Sequence, residues 1–377
     1  MCPRLLKLSD YIKTSRWYWN LIKEKISSSQ ALAFVIAGGI GIIFFWISEA
    51  SVPVAGRDSW IAYILGYGLS IPIAFSMIKI NERFPTKTFI EYVPLIIGRI
   101  GKPFTLIYIV TYLYFTALIL NLSINLLSLF FIQTPSVVLA IIASLLIVIV
   151  AKYGIETFAR VCEMFIPIIL ITIFLLIILT VPEINIKLLE PMLEKGVLPI
   201  FKLAPQALSF AGQYIVFMAI WLPLLNKPKL ALRAVLIGAP ISAITLIIVL
   251  NTIIAVFSAE VAETMAFSMV KLSQVARFPG LEGIPSIVLG VWIIASFVNG
   301  SVFFFPVVIG MSQWFKIKDY RTIVLPVGLL VTALSLLPDS YFAQLQENKL
   351  LGLYVSLPII LSIPLLWVIA WVRNVRE

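Results

Sequence analysis

Long apolar stretches alternate with short polar segments along almost the whole chain. Most stretches approach the roughly 20 residues that an α-helix needs to cross a bilayer, and hydropathy together with the positions of proline and glycine predicts membrane-spanning helices. The predicted spans, numbered one to ten in chain order, cover residues 29–52, 58–80, 104–132, 135–151, 155–182, 203–226, 230–257, 285–314, 322–338 and 352–372. The pattern predicts an all-α polytopic membrane protein with ten transmembrane helices, forming a single membrane domain over residues 1–377.

The composition excludes a water-soluble fold. Of the 377 residues, 61% are hydrophobic and 12% are charged, whereas about a quarter of the residues in a soluble domain are charged. The long segments predicted on the outer side, 183–202 and 258–284, are too short to form a soluble domain. We therefore expect the function to reside in the part of the chain that lies in the lipid bilayer.

The basic residues predict the orientation of the chain. The net charge of +10 comes from short clusters between the apolar spans, which is the pattern of membrane topology and does not suggest a nucleic-acid partner. With the N-terminus inside, three quarters of the 28 Lys and Arg residues fall on the inner side. Both termini are therefore expected to be cytoplasmic. The first apolar run begins near Ala31 without a small-residue cleavage site, so no removable signal peptide is expected.

The sequence offers little material for catalysis. It has no histidine and two cysteines, Cys2 and Cys162, so neither a zinc site nor a disulfide framework is expected. A nucleophile elbow and a Walker loop are both missing from the sequence. We expect a protein that is not an enzyme and that carries no metal and no cofactor.

Small residues interrupt two of the predicted spans. The first contains Gly38, Gly39 and Gly41, and the sixth contains Ser209 and Gly212. In lipid, an unpaired backbone is tolerated only where it is buried or lines a cavity, so such interruptions point to a site. The alternative is that these glycines only permit close helix packing.

The two interrupted spans are the first helices of two five-helix halves, residues 29–182 and 203–372. An odd number of helices in each half gives the second half the opposite topology, and interruptions at matching positions indicate a binding site near the membrane midplane. The sequence therefore predicts a five-plus-five inverted repeat with such a site.

Polar and aromatic residues provide candidate groups to line that site. A broken helix offers N–H groups that suit a carboxylate and carbonyls that suit an ammonium group, so a small zwitterion such as an amino acid fits. The candidates are Tyr112 on the third span, Gln213 and Tyr214 on the sixth, and Asn299 on the eighth. Each of them is also a residue type that commonly forms hydrogen bonds between helices.

Ionisable residues within the predicted spans are few. Glu49 lies near the outer end of the first span, and Glu156, Arg160 and Glu163 share one face at the inner end of the fifth. This spacing predicts a local ion-pair ladder, with an inner gate or a proton site as the alternative. No deeply buried acid is expected to bind a coupling ion, which disfavours a proton-driven transporter.

Short motifs follow one another in a specific order along almost the whole chain. They lie at residues 26–30 (ISSSQ), 39–41 (GIG), 58–61 (DSWI), 84–88 (FPTKT), 91–92 (EY), 97–102 (IGRIGK), 153–160 (YGIETFAR), 165–167 (FIP), 189–191 (LEP), 196–200 (GVLPI), 209–212 (SFAG) and 337–339 (LPD). Together they resemble the B-subunit family of spore germinant receptors, the endospore germination permeases of the amino acid–polyamine–organocation superfamily. The sequence departs from the family pattern at Trp46, at Leu122 or its neighbour Asn121, and at Gln213 and Tyr214.

The resemblance implies a leucine-transporter-like, amino-acid permease fold in the spore inner membrane. It also implies a germinant-sensing subunit that binds a small-molecule germinant and works beside an A-type membrane subunit and a C-type lipoprotein. Two other functions stay open on the residues alone: an ion-coupled secondary amino-acid transporter, and a structural membrane scaffold. Genes for A-type and C-type subunits beside this one would favour the receptor.

Overall fold

The computed structural model describes residues 24–41, 46–277, 283–338, 346–347 and 349–377, and no β-strand occurs in these ranges. The helices are α1 (Ser28–Ile40), α2 (Ile47–Ala55), α3 (Ser59–Arg83), α4 (Phe89–Ile97), α5 (Gly101–Phe130), α6 (Ser136–Tyr153), α7 (Ile155–Thr180), α8 (Leu198–Ala211), α9 (Gln213–Trp221), α10 (Ala231–Phe257), α11 (Ser268–Val275), α12 (Ile284–Trp314), α13 (Val324–Ser335) and α14 (Leu357–Val372). A single helical turn, Ala259–Ala262, precedes α11, and a π-helical turn, Gly352–Ser356, precedes α14.

The helices confirm an integral, multi-pass membrane protein. Within the described residues, eight helical segments are long and apolar enough to cross a membrane. Two further apolar helices, α1 and α13, are shorter; they coincide with half of the first predicted span and with the ninth. The all-α polytopic class is thus confirmed, and the count of ten spans stays a prediction.

Two short helices lie in segments that the sequence analysis treated as loops. α4 follows the second span, and its first turn carries a capping box in which Thr88 and Glu91 bond reciprocally to backbone N–H groups. α11 lies within the predicted outer segment 258–284 and packs against α7 and α12. With nine and eight residues, both helices are too short to cross a bilayer, so a search for apolar runs of membrane-spanning length does not detect them.

The two interrupted spans differ from each other. α1 begins with a capping box formed by Ser27 and Gln30 and ends at Ile40, and α2 begins only at Ile47. α8 and α9 are separated by Gly212 alone, whose N–H still bonds to the Leu208 carbonyl at 2.8 Å. Residues 42–45 of the first span lie outside the described ranges, whereas the sixth span keeps almost continuous helical hydrogen bonding across Gly212.

α1 lies in the interior of the bundle, against α7, α9, α10 and α12. The rings of Phe34 on α1 and Phe217 on α9 are 4.9 Å apart, and Phe34 also contacts Phe158 on α7, which stacks on Phe305 of α12 at 5.2 Å. These aromatic contacts tie the first span to three other helices by dispersion and ring geometry. The end of the bundle that holds Glu24 is called the inner end below, and the opposite end the outer end, following the predicted orientation.

Candidate functional site

Gly41, at the end of α1, lies against the side chain of Asn299 on α12. A Cβ atom added to Gly41 would be only 1.8 Å from Asn299 Nδ2, so this glycine makes the space that the amide occupies. Asn299 is 2% exposed, and its Nδ2 atom finds no hydrogen-bond acceptor among the described residues. A buried donor without an acceptor costs about 1–3 kcal/mol, which makes this amide a candidate for contact with a ligand or with water.

Tyr112 on α5 packs against α12, the helix that carries Asn299. Its ring contacts Phe303, one helical turn after Asn299, with centroids 5.7 Å apart, and it stacks on Tyr108 at 4.8 Å. Tyr112 is 1% exposed, and its hydroxyl has no hydrogen-bond partner in the part of the chain that the structure describes. Tyr108, by contrast, donates to the Val216 carbonyl of α9. Two buried polar groups without a partner in the described ranges therefore come from neighbouring helices: the Asn299 amide beside Gly41 and the Tyr112 hydroxyl on α5.

Tyr214 forms a hydrogen bond to α3 through its hydroxyl. Its hydroxyl and that of Ser70 are 2.9 Å apart and buried, while Tyr67, also on α3, donates to the Gly39 carbonyl. α3 thus supplies one hydroxyl to each interrupted span. Tyr67 and Ser70 are not among the predicted site residues. With Tyr63, however, they form a polar stripe at helical spacing on the buried face of α3, and that spacing is visible in the sequence.

Gly38 and Gly39 are sites of close helix contact. A Cβ atom on Gly38 would be 2.8 Å from the Cα atom of Tyr214, and one on Gly39 would be 2.5 Å from the Oγ atom of Ser242 on α10. These distances favour the packing alternative for both residues, because a larger side chain at either position requires neighbouring helices to separate. Of Gly38, Gly39 and Gly41, Gly41 is the one that borders an unsatisfied polar group, the Asn299 amide.

Ser209 and Gly212 contact the last predicted span. The Ser209 hydroxyl donates to the Gly352 carbonyl at 2.9 Å, and a Cβ atom on Gly212 would be 2.5 Å from the Cδ1 atom of Ile360 on α14. Gln213 is half-buried. The structure therefore gives Ser209 and Gly212 packing roles at the side of the sixth span that faces α14.

Glu49 is a buried acid within the first span. Glu49 is 4% exposed and lies in the first turn of α2, directly after the interruption. The Ser48 hydroxyl lies 2.9 Å from Glu49 Oε2 and 2.8 Å from the hydroxyl of Ser268, at the start of α11. The hydropathy pattern treats the first span as one continuous helix, and Glu49 is therefore predicted near the outer end of that helix.

The predicted charge ladder on the fifth span forms only in part. Arg160 pairs with Glu156 at 2.8 Å. Glu163 is exposed, and within the described ranges no ion pair joins it to Arg160. Glu156 also accepts the backbone N–H of Lys25 at 3.4 Å, which brings the segment before α1 into this cluster.

Glu24 is the central residue of the charged cluster at the inner end. Its carboxylate pairs with Arg321 and accepts the backbone N–H of Glu156 at 3.2 Å. Next to it, the Ile26 N–H donates to the Leu224 carbonyl, and the Asn226 N–H donates to the Ile26 carbonyl, each at 3.0 Å. The segment before α1 is thereby bound to the loop after α9, to α7 and to the loop before α13.

A second charged cluster lies at the outer end, around the turn between α2 and α3. Arg57 pairs with Glu260 at 3.1 Å and with Glu194 at 3.7 Å. The Asp58 carboxylate accepts the N–H of Leu193 at 2.9 Å. Hydrogen bonds from Ser258, from the Glu260 backbone and from Arg57 lower the pKa of Glu260, so the Glu260 carboxylate stays charged at neutral pH.

The candidate site is made of neutral hydrogen-bonding groups. Among these residues there is no group of three or more His, Cys, Asp or Glu side chains that could hold a metal ion. The two candidate groups are the neutral amide of Asn299 beside Gly41 and the phenol of Tyr112 on α5. They suit hydrogen bonding to a small polar molecule.

Fold comparisons show the architecture that this chain shares with solved structures. It superposes on a substrate-bound, outward-open Na⁺-coupled sialic acid symporter with a TM-score of 0.70 and 14% identity, over 92% of this chain and 82% of that one. MhsT in complex with L-phenylalanine gives a TM-score of 0.66 and 12% identity over 92% and 90% of the two chains. The fold is therefore the leucine-transporter-like fold, as the resemblance implied.

Sequence comparisons define the family. The family model described as "Spore germination protein" matches residues 25–343, so the chain belongs to this spore permease family. Spore germination protein YndE of Bacillus subtilis (strain 168) is 25% identical over 91% of this chain and 97% of its own length. Spore germination protein KB of the same organism is 25% identical over 94% and 97%, and spore germination protein XB of Bacillus anthracis is 22% identical over 92% and 98%.

Proposed function

We propose that this protein is the germinant-sensing membrane subunit of a spore germination receptor. The observation that carries the proposal is that two buried polar atoms lack a partner in the described residues: Asn299 Nδ2, which lies against Gly41 at the end of α1, and Tyr112 Oη on α5, which packs against the same helix as Asn299. Each leaves about 1–3 kcal/mol of hydrogen-bonding free energy unrealised. A small ligand that bonds to both atoms recovers that free energy, which is a physical basis for binding.

The ligand class follows from the charges around the interruption. Backbone groups at a helix break can bind both ends of a zwitterion, and Tyr112 and Asn299 are neutral. A neutral amino acid or a similar small polar molecule therefore fits better than a polyamine, which needs several carboxylates. Tight binding of a dicationic ligand by the purified protein would contradict this part of the proposal.

The remaining parts of the proposal follow from family membership and the predicted topology. We place the protein in the spore inner membrane with both termini in the cytoplasm, and we place an A-type membrane subunit and a C-type lipoprotein beside it. The halves 29–182 and 203–372 are proposed as the two inverted repeats. The supporting observation is that the helix breaks after Ile40 and at Gly212 lie in the first span of each half.

Signalling in this proposal is a shift between two arrangements of the bundle. The bundle consists of the first, second, sixth and seventh spans, and the remaining helices form the scaffold. A ligand shifts such an equilibrium only by its differential affinity for the two arrangements. The Glu24 cluster joins the segment before α1 to the scaffold through Arg321 and Glu156. We propose that these contacts form in one arrangement of the bundle and are lost in the other.

Germination of spores that carry site variants tests this function. Asn299→Leu removes the amide and keeps a similar side-chain volume, and Tyr112→Phe removes one hydroxyl. We expect each to raise the germinant concentration for half-maximal response by at least tenfold, at unchanged protein level. Matched controls are Asn251→Leu, since the Asn251 amide bonds to its own helix, and Tyr153→Phe, at an exposed inner position. An unchanged dose response of both site variants would refute the assignment.

Glu49 supports a second candidate function, an ion-coupled secondary amino-acid transporter. Ionisable residues inside membrane spans commonly serve as proton or ion sites, and Glu49 is buried directly after the interruption. Uptake into liposomes under an imposed proton or sodium gradient separates the two functions. The receptor accumulates no amino acid at concentrations that saturate binding. Gradient-driven accumulation that Glu49→Gln abolishes would establish the transporter.

A further inference from the structure

A cleft of about 600 Å³ opens between the ends of α3 and α14, at the inner end of the bundle. Its basic side chains are Lys79 and Arg83 from α3 and Arg376 from the segment after α14. Two tryptophans of α14, Trp367 and Trp371, form the opposite wall. The cleft lies apart from the interruption of the first span and has no part in the proposed germinant site.

The acidic groups of the cleft are already paired. Lys79 bonds to Glu82 at 2.8 Å, and Glu377 bonds to Lys87 at 2.6 Å. Burial alone would raise the pKa of Glu377, but hydrogen bonds from Lys87 and Thr86 bring it below the ordinary value, so the Glu377 carboxylate is charged at neutral pH. The cleft therefore keeps the positive charges of Arg83 and Arg376 in excess.

The two arginines have hydrogen-bonding capacity to spare. Arg83 donates from Nη1 to the Ala370 carbonyl at 3.2 Å, which fixes the base of its guanidinium group and leaves further N–H donors. Arg376 is exposed, and the described residues provide it with no hydrogen bond or ion pair. An arginine fork is the side chain that best matches the two oxygens of a phosphate.

The cleft lies at the level of lipid headgroups. The outward face of α14 is apolar through Leu365 and Val368, which are 65% and 49% exposed. Trp371 follows, also 65% exposed, and the chain becomes polar at Arg373 and Asn374. Exposed tryptophan is typical of the boundary between the acyl chains and the headgroups. Basic pockets between helices at this level are sites for anionic lipid headgroups.

We propose that this cleft binds the phosphodiester headgroup of an anionic phospholipid. Arg83 and Arg376 hold the phosphate oxygens, and the acyl chains lie along Trp371 and Leu365 on the outward face of α14. Such a lipid bridges α3 and α14. α3 is the second span and belongs to the four-span bundle proposed to move, whereas α14 is the tenth span and belongs to the scaffold. The site is independent of any germinant, so its test does not depend on the proposed function.

Native mass spectrometry of the full-length protein in a neutral detergent tests the proposal. Phosphatidylglycerol and phosphatidylcholine of the same chain length are offered separately. We expect phosphatidylglycerol to be retained about tenfold more tightly, and we expect Arg376→Gln to reduce that preference at least threefold. Arg83→Gln with Arg376→Gln should abolish it. Arg99→Gln, an exposed arginine before α5 at the same end of the bundle, is the matched control and should leave it unchanged.

Three results would overturn the proposal. They are equal retention of the two lipids, an unchanged preference in the Arg376→Gln variant, and a loss of the same size in the Arg99→Gln control. A separate arm adds inorganic phosphate in millimolar excess. Lipid retention should be unaffected, because the acyl chains contribute to binding; displacement by free phosphate would show an anion site in place of a lipid site. Because Arg376 makes no hydrogen bond or ion pair with the described residues, its single variant remains informative if the double variant fails to fold.

Discussion

Gly41 and Asn299 are in direct contact across the interruption of the first span, with Asn299 Nδ2 occupying the place where a side chain on Gly41 would begin. The contact explains why the chain has glycine at this position although the backbone there is ordinary right-handed helix, with φ −55° and ψ −38°. The need is for space and not for an unusual backbone angle. The space is taken by a buried amide that no acceptor in the described residues satisfies.

Gly41→Ala should therefore weaken ligand binding without preventing folding. The added methyl group pushes the flexible end of Asn299 aside, at a cost of about 1–3 kcal/mol for overpacking. We expect at least a tenfold loss of affinity for the germinant and a modest fall in Tm. The measurement is ligand titration of the purified variant, with its thermal unfolding recorded in parallel.

The control for Gly41→Ala is Gly290→Ala, on the same helix as Asn299, where nothing lies within 4 Å of an added Cβ atom. That substitution should leave affinity unchanged and raise stability slightly, because alanine is favoured over glycine within a helix. The double variant Gly41→Ala with Asn299→Ala should recover Tm but not affinity. Full affinity in the Gly41→Ala single variant would show that the amide does not contact the ligand.

Glu24→Gln should loosen the inner end of the bundle, whereas Glu163→Gln should not. The glutamine keeps the size of Glu24 but loses its charged bond to Arg321, which is worth about 1 kcal/mol for a partly exposed pair. Hydrogen exchange at the amides of Ile26 and Asn226, which bond the segment before α1 to the loop after α9, should become roughly fivefold faster. Equal acceleration by Glu163→Gln would instead favour the ladder predicted on the fifth span.

Gly212→Ala tests whether the glycine of the sixth span serves packing or ligand binding. The added Cβ atom would lie 2.5 Å from Ile360 Cδ1, so we expect a destabilisation of about 1–3 kcal/mol and little change in germinant affinity. Ile360→Val in the same chain should restore part of the Tm. Gly68→Ala, with open space around it, is the matched control. Loss of germinant affinity with an unchanged Tm would instead show that Gly212 belongs to the ligand-binding site.

Cysteine labelling tests the predicted orientation. Lys195→Cys and Arg99→Cys place single thiols at exposed positions on the predicted outer and inner sides. The background is Cys2→Ser, and Cys162 is fully buried and should not react. A membrane-impermeant maleimide added to intact cells should label the first variant, and the second only after lysis. The opposite pattern would invert the topology.

Hydropathy predicts the spans well because a helix in lipid needs an unbroken apolar run, as α7 and α12 show. It fails where the backbone breaks. In the sequence, Glu49 lies near the outer end of one continuous span. In the structure, it lies in the first turn of a separate helix that begins at Ile47. The glycines of α1 look equivalent in sequence, yet only Gly41 borders Asn299, because the facing residue depends on helix rotation and tertiary packing. Glu24 carries no signal of its role, since its partners Arg321 and Glu156 are distant in sequence.

The central claim is that a small ligand satisfies Tyr112 and Asn299 beside the interrupted first span. Isothermal titration calorimetry of the purified protein in lipid nanodiscs, against a panel of neutral amino acids, sugars and nucleosides, tests it most directly. The account predicts one-site binding of at least one neutral or zwitterionic compound, weakened at least tenfold by Asn299→Leu and left unchanged by Asn251→Leu. Equal affinity in the Asn299→Leu and Tyr112→Phe variants, or no binding of any compound in the panel, would contradict it.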